Sequence, residues 1–273
     1  MRIAVLVKEV PDTSKRRELD LETGLIRRHD GADNVEMVLD ESSQRAVEAA
    51  LRIRESNSDQ LDESITIDAI SMAPEAALDS IRRALSMGAD EAVLVHDKTL
   101  VGADLTTTAE VLAAALRKRK YDLIICGNES SDGASGALPA MIAEHLKLAV
   151  LSHLTSIQLA QSAPDGGLSI SASRRTESAV QSLEVACPAV VSVSDDFPDP
   201  RFPNFKGIMA GKKKPITQFS LEDLSIDAED FSHPKAIMTA VAPKPPRQPG
   251  SKVHDDGDAA AKILEYLESH KLI

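Results

Sequence analysis

Tyr121-Asp122-Leu123-Ile124-Ile125-Cys126-Gly127-Asn128-Glu129-Ser130-Ser131-Asp132-Gly133-Ala134-Ser135-Gly136-Ala137-Leu138-Pro139 is the stretch from which the fold can be read. Leu123 to Cys126 is a short apolar run between an aspartate and a glycine. That is the pattern of a strand buried on both faces of a parallel sheet. Three glycines and three serines follow with no apolar anchor, and then Leu138, Met141, Ile142 and Leu146 fall at helical spacing. Strand, small-residue loop and helix start together present unpaired backbone N–H groups, which suits an anion. The loop is not a Walker A, because no Gly-Lys-Ser/Thr closes it, and its glycines are not spaced as GxGxxG. The same residues also make an ordinary β-to-α turn, and both readings stand at this point.

Working outward, Arg2 to Val7 reads as the first, central strand. Lys8 to Thr13 follows at its C-terminal end, where open α/β sheets bind ligands. Ser14 to Asn34 is charged and lacks a helical period, and reads as a long excursion with a hairpin around Glu22-Thr23-Gly24. Ala46, Val47, Ala50, Leu51 and Ile53 mark an amphipathic helix with Asp40 or Ser42 as N-cap. Ile65 to Ile70 and Ala92 to Val95 are further strands. Between them lies a helix opened by Pro74, buried through Leu78, Ile81, Ala84 and Leu85, and ended by Gly88. Asp104 caps the helix carrying Leu105, Ala109, Leu112, Ala113 and Leu116. Beyond Leu146, Leu151 to Leu159 and Leu168 to Ala172 read as strands joined by Pro164-Asp165-Gly166-Gly167. Leu183 to Val185 and Ala189 to Val193 then close the sheet around Pro188. Alternating strands and helices predict a parallel, helix-flanked sheet.

After Val193 the character changes. Residues 195–215 hold four prolines, the basic residues Arg201, Lys206, Lys212, Lys213 and Lys214, and three of the five phenylalanines, Phe197, Phe202 and Phe205. Lysines in such a loop face water, but apolar rings expose surface unless something covers it. The stretch therefore reads as a docking segment. Ala242 to Gly250 is a proline-rich, extended linker, and Ala260, Ile263, Leu264 and Leu267 give the terminal helix one apolar face. That helix either reaches a neighbouring chain or folds back on its own.

Composition excludes several classes. At 273 residues the chain can bury a full core, and no apolar run approaches the length of a membrane span. No signal peptide is expected ahead of the first strand. Cys126 and Cys187 sit in or beside apolar runs and read as reduced thiols of a cytosolic protein. A net charge of −12 argues against nucleic-acid binding. Tryptophan is absent and aromatics are 3%, so a large planar ligand is expected to be shared with a partner. The histidines form no metal pair, no nucleophile elbow occurs, and capping explains Asp255 and Asp256. An α/β domain of this kind suits holding a nucleotide better than cleaving one.

These pieces accumulate into a likeness that covers nearly the whole chain. They are Val5-Leu6-Val7-Lys8-Glu9-Val10-Pro11-Asp12, Arg45-Ala46-Val47-Glu48-Ala49-Ala50, Ala84 to Asp90 and Gly127 to Gly133. The most specific are Gln181-Ser182-Leu183 through Cys187-Pro188-Ala189-Val190-Val191 and Pro200 to Pro215. The chain resembles the β subunit of the electron transfer flavoproteins. The resemblance implies a doubly wound, mostly parallel α/β sheet, adenine-nucleotide-hydrolase-like and Rossmann-like, with an extended C-terminal arm ending in a helix. It implies a nucleotide-binding domain at 1–193 and an arm at 194–273. Within the arm fall a recognition loop at about 196–215, a linker at 242–250 and a helix at 257–271 in contact with the α subunit. It also implies a bacterial cytoplasmic electron carrier, not an enzyme, that works in fatty acid β-oxidation. FAD is shared with the α subunit, electrons arrive from acyl-CoA dehydrogenases, and they leave to an electron transfer flavoprotein–quinone oxidoreductase.

The resemblance further implies a structural AMP held by Leu6, Val7, Asp40, Met72, Gly127, Asn128, Asp132, Gly133, Ser135, Gly136 and Ala137. Partner dehydrogenases would dock on Phe202, Phe205, Ile208 and Met209. Many relatives have Asn-Pro-aromatic where this chain has Asp40-Glu41-Ser42, and an aromatic at Thr13. A carboxylate at position 40 would accept from a ribose hydroxyl or repel phosphate. Two alternatives stay open. One is a bifurcating-type subunit with a second FAD in place of AMP. The other is an adenine-nucleotide hydrolase-like enzyme, against which Lys8 to Thr13 stands in place of that group's Ser-Gly-Gly phosphate loop.

Overall fold

A computed structural model of the chain describes residues 1–15, 17–28, 35–57, 64–160, 167–231, 235–250 and 252–273. The first strand, β1 (Arg2–Leu6), is followed by a short antiparallel ribbon of β2 (Glu9–Pro11) and β3 (Met37–Leu39). Then come α1 (Glu41–Ser56), β4 (Thr66–Met72), α2 (Leu78–Met87), β5 (Glu91–Val95), α3 (Leu105–Arg117), β6 (Leu123–Gly127) and α4 (Leu138–Leu146). The chain continues through β7 (Ala149–Leu154), β8 (Ser156–Ala160), β9 (Ser169–Arg175), β10 (Val180–Ala186) and β11 (Ala189–Val193). It ends with α5 (Phe205–Gly211), β12 (Ile216–Phe219) and α6 (Ala259–Ser269).

Seven strands form one parallel sheet in the order β12-β5-β4-β1-β6-β11-β7. Side chains alternate across it, as a pleated strand requires. Ile3 and Val5 of β1, with Leu123 and Ile125 of β6, face the apolar sides of α1 and α2. Ala4 and Leu6, with Ile124 and Cys126, face α3 and α4. Both faces are covered, so the central strands are apolar throughout and the sheet is doubly wound. The expected fold class is what the structure contains.

Several local expectations give way. The run Leu151–Leu159 is two strands, because the chain leaves the large sheet at Thr155 and enters a second one. Leu183 to Val185 does not close the large sheet. It lies in β10 of an antiparallel three-stranded sheet, order β10-β9-β8. Helix–strand alternation thus stops after α4. Residues 164–166 of the expected turn lie outside the described residues. The excursion hairpin is present, with a bridge between Leu19 and Ile26 and the turn closed by Gly24 N–H on the Asp20 carbonyl at 2.8 Å. Pro74 opens a one-turn 3₁₀ helix at Glu75–Ala77 ahead of α2.

The segment 195–215 is not all loop, since it contains α5, and β12 beyond it pairs with β5. A boundary at 193 would cut that strand from its sheet; one compact unit runs Met1–Thr239 and a second Ala240–Ile273. Phe197 is buried in the core and is no part of an exposed docking surface. Helix α5 is seated on the end of α2 through its glycines. A Cβ on Gly207 would lie 2.6 Å from the Ser86 carbonyl oxygen, and one on Gly211 2.4 Å from Ser86 Oγ. The Arg82 guanidinium donates to the Gly211 carbonyl at 2.9 Å, and Lys214 Nζ donates to that of Leu85 at 3.1 Å. Gly211→Val should therefore overpack this contact and lower the urea midpoint by the equivalent of roughly 1–3 kcal/mol. Gly250→Val, at a glycine with nothing within 4 Å, should leave the midpoint unchanged.

Candidate functional site

The strand order reverses direction at the β1–β6 pair: β4, β5 and β12 lie on one side of β1, β11 and β7 on the other. Crevices outside the carboxyl ends of strands at such a switch point are where open α/β sheets take ligands. Leu6 and Val7 stand at the end of β1, Met72 at the end of β4, and Gly127 and Asn128 at the end of β6. The loop 128–137 and the first turn of α1 border the same edge. The residues expected at one site are thus brought to one edge of the sheet. An open hollow lined by Met1, Arg2, Ser64, Thr66 and Asp122 lies at the strands' opposite ends, away from this crevice.

Asp40 is buried, and beside the N-cap role expected from the sequence it makes a second contact. One carboxylate oxygen caps α1, accepting from the Ser42 N–H at 3.0 Å and the Ser42 hydroxyl at 3.1 Å. The other accepts from the Ser131 N–H at 2.8 Å and its hydroxyl at 3.3 Å. Both oxygens are engaged inside the protein. Through them Asp40 ties α1 to the loop. Gly127 serves the same junction. A Cβ there would sit 2.4 Å from Ser42 Oγ and 2.7 Å from Ser42 Cβ, so only glycine lets α1 pack onto the end of β6.

Asp132 is likewise turned inward, its side chain only 3% exposed on a surface loop. Lys8 Nζ donates to it at 2.6 Å and to Ser130 Oγ at 3.0 Å. The Arg28 guanidinium grips the other oxygen, and also donates to the Glu9 carbonyl at 2.9 Å. Arg17 donates to the Ser131 carbonyl. Burial alone would raise the Asp132 carboxyl, but Lys8, Ser130 and Arg28 outweigh it and hold the group well below the usual carboxylate range. The excursion after β1 is thereby fastened to the loop after β6. Lys8, Arg17 and Arg28 escaped the sequence reading, since nothing local marks an ion pair between residues 124 and 104 positions apart.

The remainder of the loop stays open. Gly133, Ala134 and Ser135 are exposed, and Ala134 and Gly136 take left-handed backbone angles, φ 43° and 62°. These turn the chain into α4, whose N-cap Ala137 offers no side-chain hydrogen bond. The first N–H groups of α4 are therefore left without a side-chain cap at the mouth of the crevice, and they carry the positive end of the helix dipole. Asn128 is held by its own N–H on the Val193 carbonyl at 2.8 Å, and its side-chain oxygen accepts from Ser192 Oγ at 3.3 Å. Among the described residues, no cluster of His, Cys, Asp or Glu could hold a metal ion, and no helix is long and apolar enough to cross a membrane.

A second feature lies on another surface of the same unit. Phe202 and Phe205 are 86% and 79% exposed, and Ile208 and Met209 are exposed beside them. Asn204 caps α5 by accepting from the Gly207 N–H at 2.8 Å, and the Arg83 guanidinium lies 5.8 Å from the centre of the Phe202 ring. Lys206, Lys212 and Lys213 face solvent, whereas Arg201 and Lys214 point inward onto protein acceptors. An apolar cluster rimmed by cations is suited to contact with another protein.

Residues 32–224 match the family model described as electron transfer flavoprotein domain. The chain is 42% identical over 276 residues to the electron transfer flavoprotein subunit beta of Mycobacterium tuberculosis (strain ATCC 25618 / H37Rv), covering 99% of each chain. It is 30% identical to the protein of the same name from Bacillus subtilis (strain 168), covering 98% of each. It is 31% identical to the caffeyl-CoA reductase-Etf complex subunit CarD of Acetobacterium woodii, over 84% of this chain and 82% of that one.

The Asp132 clamp has a definite pH signature. A folded-state carboxyl held low contributes stability above the unfolded value of about 4, and that contribution is lost as pH falls below it. Asp132→Asn should cost about 1–3 kcal/mol at pH 7, from lost hydrogen bonds to charged donors. In urea titrations the gap between wild type and variant should narrow from pH 5 to pH 3. A gap that does not change with pH contradicts the clamp.

Proposed function

The chain belongs to the β-subunit family of electron transfer flavoproteins, and from that premise we propose that it is the nucleotide-holding subunit of a two-chain electron carrier. Its partner is the α subunit, with which it shares an FAD. Its crevice holds an AMP whose part is structural. Electrons come from acyl-CoA dehydrogenases and go to a quinone oxidoreductase.

The observation that carries the crevice reading is the α4 N-terminus without a side-chain cap, reached through the left-handed turn at Ala134 and Gly136. An adenosine monophosphate fits this chemistry. Backbone N–H groups from residue 135 onward would take the phosphate, those of Gly133 and Ala134 being engaged within the loop. Leu6, Val7 and Met72 would border the nucleoside, and Asn128, its side-chain oxygen engaged by Ser192, would offer its amide N–H groups. Asp40 and Asp132 take part indirectly, by fixing the loop that presents those groups.

The flavin, when bound, takes up and releases the electrons. This chain's own share is to shape the crevice and offer a docking surface. With 3% aromatic residues and no tryptophan it has little to stack on an isoalloxazine ring, which agrees with a flavin bound mainly by α. The Phe202–Phe205 cluster fits the part of anchor for the dehydrogenase, a small apolar centre with a charged rim.

In the complex with α, Phe205→Ala should raise the KM for the flavoprotein about tenfold in an assay driven by an acyl-CoA dehydrogenase and octanoyl-CoA. Flavin content should not change. Unaltered kinetics would remove this surface from the docking role.

A further inference from the structure

The exposed aromatic pair depends on a buried acid two turns into α1. Glu48 is 3% exposed, yet it faces the docking segment. It accepts from the Arg201 Nε at 2.7 Å, the Arg201 Nη2 at 3.1 Å and the Arg201 backbone N–H at 3.2 Å. Arg52 Nε adds a bond at 2.8 Å. Arg201 extends the grip to Glu55 at 2.9 Å. Arg201 directly precedes Phe202, so these bonds fix both the backbone and the side chain next to the aromatic cluster. One turn earlier on α1, Arg45 donates to the Phe197 carbonyl and pairs with Asp199 at 3.0 Å.

A surface ion pair is worth little, because two long side chains must be ordered in water. This pair differs, since the carboxylate is buried and saturated by a guanidinium and a backbone N–H together. Burial alone would raise the Glu48 carboxyl, but the bonds from Arg201 and Arg52 outweigh it and hold the group below its ordinary value. An anchor of this strength on a segment that ends in two exposed phenylalanines has no evident use in the core. The core beneath it is already filled by Phe197.

We infer that Glu48 is a positioning residue for dehydrogenase docking: through Arg201 it holds Phe202 and Phe205 in the orientation a partner meets. This rests on the docking role proposed above. Helix α1 then serves two sites. Its N-terminus is tied to the crevice loop by Asp40, and its middle to the docking segment by Glu48.

The test uses the complex with α, reduced by an acyl-CoA dehydrogenase and octanoyl-CoA. Phe205→Ala, Glu48→Gln, Arg201→Gln and Arg201→Lys are compared, with hydrogen exchange followed over residues 197–211. Glu48→Gln keeps the shape and weakens the charge-assisted bonds; it should raise KM about fivefold with kcat and flavin content unchanged. Arg201→Gln should match it, and Arg201→Lys, which keeps one charged bond, should recover part of the loss. Exchange should quicken at 197–204 and remain unchanged in β1 and β6. An unchanged KM in Glu48→Gln and Arg201→Gln, with Phe205→Ala still impaired, would overturn the positioning role and leave the docking surface standing. Unchanged kinetics in all four would remove the docking surface as well. Faster exchange without a change in KM also counts against the inference, since the segment would then be ordered to no effect on docking.

Discussion

Asp40 buries a carboxylate that no cation among the described residues pairs with, and satisfies both oxygens with hydrogen bonds. A charge in that position is tolerated only because four donors converge on it, two from the start of α1 and two from Ser131. Bonds of this kind are worth about 1.5–3 kcal/mol each when the acceptor is charged, and more is lost if one partner disappears. The consequence is geometric. The first turn of α1 and the loop after β6 cannot move apart, and Gly127 lets the two backbones close to contact. The rest of the crevice is built on that junction. Asp132 adds a second fastening, from the loop to the excursion after β1, through Lys8 and Arg28. Gly133 and Ala134 spend their N–H groups on Asp132 and Ser130, which leaves Ser135 to Ala137 to meet a ligand.

The same helix carries the structure outward. Arg45 and Glu48 lie one turn apart on α1 and hold residues 197–201. At its other end the segment is seated by glycines, Gly207 and Gly211 packing onto Ser86. Between these fixed ends the apolar side chains at 202, 205, 208 and 209 are displayed without having to pack. Bonds from Arg45 and Arg201 to buried or backbone acceptors do the holding, and exposure of rings does the presenting. Of the basic cluster in this region, Arg201 and Lys214 are consumed by internal bonds, which leaves Lys206, Lys212 and Lys213 as the rim.

Much of the fold was legible because parallel strands covered on both faces announce themselves. Leu123 to Cys126 and Ile3 to Leu6 could hardly be anything else. Asp104 was legible as a cap because the signal is local, and it accepts from Thr107 N–H at 2.7 Å as expected. Leu183 and Val185 were misplaced for a physical reason. A short apolar run looks alike in either sheet, and only pairing with β9 tells which. β12 is four residues long and follows a run of lysines, too little pattern to stand out. In the crevice, the sequence located the loop and the strand ends. It could not show that Asp132 and the second oxygen of Asp40 are spent on the protein, because those partners lie far away along the chain. Phe197 lies near Phe202 and Phe205 in the sequence, and only its tertiary packing buries it.

The function of this chain turns on what the crevice between β1 and β6 holds. The direct measurement is to purify the complex with its α partner, denature it, and identify and count the nucleotides released. One FAD and one AMP per complex is the predicted result, with AMP in this chain and the flavin shared. Two FAD and no AMP would contradict the assignment of the crevice to a nucleoside monophosphate.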